Sequence, residues 1–165
     1  MTYSLRLFRS SDATALAGLT LAAIRSVGAA RYSAEQVDAW ASRHPGPDRF
    51  LERAAQRHQI FVAVDNHDAP VAYSLIEPPT ENGSHLDMLY CHPDHTRRGL
   101  ANKLLSVAED SALQDGAARL FTEASELARP AFERAGYAVT HRREFEVEGP
   151  NGPVMIHNFA MEKTL

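Results

Sequence analysis

A chain of 165 residues, with 44% hydrophobic and 23% charged residues, has the length of one domain and the ordinary composition of a globular protein. Its formal net charge of −4 excludes a domain-wide attraction to nucleic acid phosphates, and its single cysteine, Cys91, excludes an internal disulfide and fits a reducing compartment. No stretch reads as the roughly 20 apolar residues of a membrane span, and Met1 to Ser10 lacks the apolar core of a signal peptide, so one cytoplasmic domain over residues 1–165 is expected.

Tyr3 to Arg9 alternates with period two and predicts a strand. Ser10-Ser11-Asp12 offers cap oxygens, and Leu16, Leu19, Ala23, Ile24 and Val27 follow at helical spacing. Ser33 and Gln36 have the spacing of a capping box and open a second helix carrying Val37 and Trp40. Pro45-Gly46-Pro47 breaks the chain before a short third helix through Phe50 and Leu51. Ile60 to Val64 and Val71 to Ile76 predict strands around an Asp65-Asn66-His67-Asp68 hairpin loop. Leu86 to Cys91 is a further strand, and a strongly amphipathic helix runs from about Gly99 to Asp115, ended by Gly116. Arg119 to Ala124 predicts a strand and Leu127 to Ala135 a short helix. Strands around Tyr137 to Val147 and Val154 to Met161 close the chain, hinged at Gly149-Pro150-Asn151-Gly152-Pro153.

The order β-α-α-β-β-β-α-β-α-β-β predicts an α+β fold with a mixed, mostly antiparallel sheet. Its strands at Leu86 and Arg119 are joined by a long helix, which makes them a parallel, right-handed pair. Helices are expected on both faces of this sheet.

The chemistry concentrates between Leu89 and Lys103. A strand ends at Cys91, Pro93 turns the chain, and Arg97 and Arg98 precede Gly99 at the start of the amphipathic helix. The first turn of a helix carries free N–H groups and partial positive charge. Gly99 has no Cβ to keep an oxyanion from the backbone. The arrangement suits a diphosphate; the plain alternative is a helix start with solvated arginines.

Thr96-Arg97-Arg98-Gly99-Leu100-Ala101, behind Leu89-Tyr90-Cys91-His92-Pro93, resembles the [Gln/Arg]-x-x-Gly-x-[Gly/Ala] signature of the GCN5-related N-acetyltransferase (GNAT) superfamily. Phe132 to Tyr137 is similar to its aromatic-x-x-x-Gly-aromatic motif, and Ser125 and Ala128 fall where the family often has Asn-x-x-Ala. The resemblance implies acetyl-CoA as co-substrate; no metal is expected, since the histidines lack a recognised zinc spacing. The pantetheine arm would pair with the backbone of Leu89, Tyr90 and Cys91, and the pyrophosphate would lie on the loop and first turn formed by Thr96, Arg97, Arg98, Gly99, Leu100, Ala101 and Asn102. Ser125 would border the same site. A free N–H near Leu89 or Tyr90 would stabilise the oxyanion of a tetrahedral intermediate. An amine of a small or amino-acid-like acceptor would attack directly, with no acyl-enzyme. The resemblance also fits a monomer or homodimer, with neither nucleic acid nor membrane as partner. Two departures stand out. Thr96 replaces the expected Gln or Arg, and Phe132 replaces a tyrosine that often protonates the departing thiolate.

Asp87 and His85 are the candidate bases, and Glu123, at the end of the neighbouring parallel strand, is a third candidate or an acceptor contact. Alternation puts His85, Asp87, Leu89 and Cys91 on one face unless a bulge intervenes. Tyr32 and Trp40 lie in helices that wall the acceptor pocket in this superfamily, although Trp40 also reads as core. Cys91 has no Cys-His-Asn constellation and reads as a core thiol. His92 and His95 bracket a proline turn without a zinc spacing and read as loop histidines. The rival functions are a CoA-binding interaction module without turnover, transfer of another acyl group or to an oxygen acceptor, and a metal-dependent hydrolase.

Overall fold

The computed structural model describes residues 2–44 and 46–165. The expected break at Pro45-Gly46-Pro47 therefore falls, at Pro45, outside the described residues. In chain order the elements are β1 (Ser4–Leu7), α1 (Ala13–Val27), α2 (Ala34–Ser42), α3 (Asp48–Ala55), β2 (Gln59–Val64), β3 (Pro70–Ile76), β4 (Ser84–Cys91), α4 (Leu100–Gln114), β5 (Arg119–Ala124), α5 (Arg129–Arg134), β6 (Ala138–Gly149) and β7 (Gly152–Thr164). The short third helix expected through Phe50 and Leu51 is α3.

The seven strands form one sheet in the order β1-β2-β3-β4-β5-β7-β6. Among the described residues only β4 and β5 run parallel, joined through α4 as the crossover requires. Every other pairing is antiparallel. Strand β7 inserts between β5 and β6, so the long closing hairpin forms one end of the sheet with β6 at its edge.

The periodicities explain the layers. Leu16 and Leu19 of α1 and Phe50 of α3 pack on Val62, Tyr73, Leu75 and Met88, burying one sheet face. Leu105, Ala108 and Ala112 of α4 and Phe132 of α5 pack on Leu86, Leu120 and Met161, burying the other. Ile24, Tyr32 and Val37 meet Val147 and Ile156, which fastens α2 to the β6–β7 hairpin. The capping box of α2 forms in both directions, Ser33 Oγ accepting from the Gln36 N–H and Gln36 Oε1 from the Ser33 N–H.

One expectation is corrected. The helical segment Ser10–Ala30 is long and apolar enough to cross a membrane, with a mean hydropathy of 1.4. In the fold it is a core helix: Leu16, Leu19, Ala23 and Ile24 are buried among the residues named above.

Candidate active site

The parallel pair is short. Ser84, His85 and Leu86 of β4 face Leu120, Phe121 and Thr122 of β5, and pairing stops there. At the fork the Thr122 hydroxyl donates to the Leu86 carbonyl at 2.8 Å. Beyond it β4 continues to Cys91 with no strand on that side, so a main-chain edge from Asp87 to Cys91 is left without a ladder. A cavity of about 110 Å³ occupies the fork, bordered by Leu89, Tyr90, Thr122, Ser125 and Phe132.

On one side of the fork lies an apolar channel of about 160 Å³ lined by Leu89, Tyr90, Cys91, Thr96, Ala101 and Ser125, among others. It ends at the loop leading into α4. Gly99, the N-cap of α4, has φ 74°, and Arg97 has φ 60°. Both lie in the left-handed region, which glycine enters freely and a non-glycine residue enters at a cost of ~1–2 kcal/mol. Among the described residues, the backbone N–H groups from Arg97 to Asn102 find no partner in the protein. Arg97, Arg98, Gly99 and Asn102 are exposed, whereas Leu100 is buried and anchors the helix to the sheet. The signature segment is thus a row of free donors at the positive end of a fifteen-residue helix. Ser125 Oγ accepts from the Ala128 N–H at 3.1 Å and turns the chain into α5 beside the channel.

On the other side of the fork the site is built from side chains. A cavity of about 290 Å³ is lined by Trp40, His44, Asp87, Tyr90, Glu123 and Asn158, with Arg43, Arg49, Arg143 and Phe145 also on its wall. Trp40 and Tyr90 border all three cavities. Trp40 Nε1–H donates to the Tyr90 hydroxyl at 3.2 Å, and His44 Nε2 lies 3.4 Å from the same oxygen. Burial pushes the Tyr90 phenol up to about 12, so it stays protonated.

The expected face assignment is corrected by a bulge. Leu75 pairs with Met88 but Ile76 pairs with Leu86, which leaves Asp87 as the extra residue of β4. Alternation therefore changes phase at Asp87. Met88 and Tyr90 pack towards α1, whereas Leu89 and Cys91 pack towards α4. His85 and Asp87 both border this cavity of about 290 Å³. Asp87 Oδ2 is buried without a hydrogen bond among the described residues, at 3.8 and 4.0 Å from the guanidinium groups of Arg53 and Arg49.

His85 is clamped between two carboxylates, Nε2 at 2.7 Å from Glu123 and Nδ1 at 3.2 Å from Glu77, with its ring stacked on Phe121. Burial opposes its charge, but the hydrogen bonds and charges of Glu123 and Glu77 outweigh burial and raise it to about 9. At neutral pH it is an imidazolium, and it has no lone pair for an incoming proton. Its hydrogen bond in turn holds Glu123 below the usual carboxylate range, against the opposing effect of burial. His44 goes the other way: burial and the nearby Arg49 and Arg43 lower it to about 4, and it is neutral.

Tyr32 is only 6% exposed. Its hydroxyl accepts from the Glu126 N–H at 3.0 Å and donates to the His157 carbonyl at 3.1 Å, tying the loop after β5 to β7. Its ring still borders the fork. Burial raises the Cys91 thiol to about 11, so no thiolate nucleophile is available there. His92 and His95 serve the loop: His92 Nδ1 accepts from the Asp94 N–H at 3.1 Å, and His95 Nδ1 meets the Tyr3 hydroxyl at 2.9 Å. Glu77, His85 and Asp87 bring ligand-type atoms within 4.8 Å of one another. The charge on His85 and the arginines beside Asp87 oppose a metal ion there.

Arg43, His44, Arg49, Arg143, Phe145 and Asn158 were not legible as site residues. Arg143 and Asn158 face each other across β6 and β7, as do Phe145 and Ile156. Only the same-face spacing of Arg143 and Phe145 hints at this in the sequence.

A family model described as an acetyltransferase (GNAT) domain matches residues 28–163. The uncharacterised N-acetyltransferase YafP of Escherichia coli K12 is 30% identical over 145 residues, covering 88% of this chain and 87% of that protein. A GCN5-related N-acetyltransferase structure from Rhodopseudomonas palustris superposes with a TM-score of 0.86 at 30% identity, covering 100% of this chain and 97% of that one. The PaiA N-acetyltransferase of Thermoplasma acidophilum, solved in complex with coenzyme A, has the same fold, with a TM-score of 0.80 at 16% identity over 100% of both chains. By sequence and by fold the chain belongs to the GNAT family of acetyl-CoA-dependent N-acetyltransferases.

Proposed function

We propose that the protein transfers an acetyl group from acetyl-CoA to the amine of a small-molecule or amino-acid-like acceptor, by direct attack with both substrates bound. The observation that carries this reading is the fork between β4 and β5, which joins a backbone-lined channel to a side-chain-lined cavity. The free N–H groups of Arg97 to Asn102 would hold the pyrophosphate, and the edge of Leu89, Tyr90 and Cys91 would pair with the pantetheine arm. An N–H of that edge would take the charge developing on the thioester oxygen.

Asp87 is the base. Asp87 borders both the fork and the cavity of about 290 Å³, which would take the acceptor, and its Oδ2 makes no hydrogen bond among the described residues. It takes the proton that the amine nitrogen loses as the new C–N bond forms, directly or through a water. Glu123 orients the amine from the opposite strand, and the protonated His85 keeps Glu123 in place. The C–S bond then breaks and the thiolate leaves. Phe132, buried in the core against Tyr137, has no proton to offer it. A thiol that titrates near ~8.5 is a good enough leaving group for solvent to protonate it afterwards.

The test is a CoA-release assay over a panel of primary amines and amino acids. Release that saturates in both acetyl-CoA and acceptor, with an acetylated product in the mass spectrum, is expected. Saturable acetyl-CoA binding with no release across the panel would favour a CoA-binding module instead, a reading that Phe132 supports. A preference for a longer acyl-CoA would correct the donor but keep the reaction.

A further inference from the structure

Resting on that reading of the acceptor-side cavity, we propose that the acceptor is an amine that also carries an oxyanion group, a carboxylate or a phosphorus oxyacid, held by Arg43 and Arg143. The charge balance of the wall points there. Arg43, Arg49, Arg143 and the protonated His85 face Asp87 and Glu123, a positive cavity in a chain of net charge −4. His44 on the same wall is lowered first by burial, and Arg49 and Arg43 add to that lowering.

The two arginines are placed for a ligand more than for each other. Arg43 lies over the Phe145 ring at 5.6 Å and Arg143 over the same ring at 5.3 Å. Among the described residues Arg43 has no carboxylate within ion-pair distance, and the carboxylate nearest Arg143, that of Glu123, is 3.8 Å away. Two guanidinium groups share one aromatic ring, and one of them lacks an acid. An oxyanion in the cavity that both line would accept paired N–H bonds, a geometry to which the planar guanidinium is suited. Asp87, which lines the same cavity, is then left to meet the amine end. The separation of a cationic clamp from an anionic base would orient an amino acid or aminophosphonate and repel a polyamine. A cavity of about 290 Å³ limits the acceptor to a small molecule.

The experiment uses matched probes, each differing only in the acid group: L-leucine against isoamylamine, L-phenylalanine against phenethylamine, and 2-aminoethylphosphonate against ethylamine. Each is assayed for CoA release and titrated calorimetrically into the CoA-loaded protein. The acid-bearing member of at least one pair should bind and react about tenfold or more better than its partner. Arg43→Gln and Arg143→Gln should erase that preference through KM, leaving acetyl-CoA affinity unchanged, and Arg43→Lys should restore part of it. The carboxylate and phosphonate pairs separate the two acid types. Amines without the acid binding or reacting as well as their partners would overturn the clamp while leaving acetyl transfer standing. Binding that prefers the acid without CoA release would uphold the clamp and overturn transfer to this class. No binding by any acid-bearing probe would overturn the clamp.

Discussion

The two sides of the fork are made of different material. The channel towards α4 presents main chain: a free strand edge at Leu89 to Cys91 and free N–H groups from Arg97 to Asn102. The cavity towards α2 and β6 presents side chains: Trp40, His44, Asp87, Tyr90, Glu123 and Arg143. Main-chain recognition tolerates side-chain change and depends on conformation, whereas side-chain recognition depends on identity. The difference teaches which substitutions should hurt on which side.

The largest effect is expected on the side-chain half. Asp87→Asn keeps the shape of the carboxylate but removes its basicity, and kcat should fall about 100-fold or more. The affinity for acetyl-CoA should stay within about twofold, since an isosteric change at Asp87 removes no main-chain donor. Steady-state kinetics alongside calorimetry reads both, and full activity in the variant would take Asp87 out of the mechanism.

Next comes the one main-chain residue whose side-chain freedom matters. Gly99 has φ 74°, and a Cβ built there meets nothing within 4 Å. Gly99→Val meets no clash but strains the backbone at a cost of ~1–2 kcal/mol, and its branched side chain stands where the anion approaches. Affinity for acetyl-CoA should drop about 100-fold, or 2.7 kcal/mol. Unchanged affinity in a folded variant would break the comparison.

A third effect is read from pH. His85 titrates near 9 in the fold, above its ordinary 6.5, through Glu123 and Glu77. Its raised value means that its contribution is full below pH 6.5 and is lost as pH rises through about 9. Denaturant unfolding should show a loss on the order of 2 kcal/mol over that window. His85→Gln should flatten it. His44 has the opposite sign: lowered to about 4, it makes the fold lose stability as pH falls from 6.5 towards 4. His44→Phe should remove that acid limb.

The smallest effect sharpens the comparison from the other side. Thr96→Ala removes a hydroxyl that donates to the Pro93 carbonyl at 3.2 Å and leaves every main-chain donor in place. Acetyl-CoA affinity should change less than about threefold, since an exposed neutral hydrogen bond contributes ~0.5–1 kcal/mol.

The same contrast decides what the sequence could tell. The Thr96 to Ala101 segment is legible because a backbone cradle imposes glycine, a helix start and local spacing on neighbouring residues. Element order and the parallel pair were legible for the same reason: periodicity and caps are local. Asp87 was legible as a residue but not as a bulge, because the bulge exists only in its register with Leu75 and Ile76. The Glu77–His85–Glu123 clamp joins three separate segments, and the pair of arginines on Phe145 joins the end of α2 to β6. No spacing rule connects residues that far apart. Tyr32 was legible as a pocket candidate, but its ties to the Glu126 N–H and the His157 carbonyl join segments far apart in the chain and were not. Ser10–Ala30 shows the limit of composition: its apolar face belongs to the core.

The most direct test is a calorimetric titration of the purified protein with acetyl-CoA, run in parallel with free CoA. Saturable one-to-one binding of both, lost in Gly99→Val and kept in Asp87→Asn, is the predicted result. Absence of binding to either would contradict the assignment of the fork and the α4 loop as the donor site.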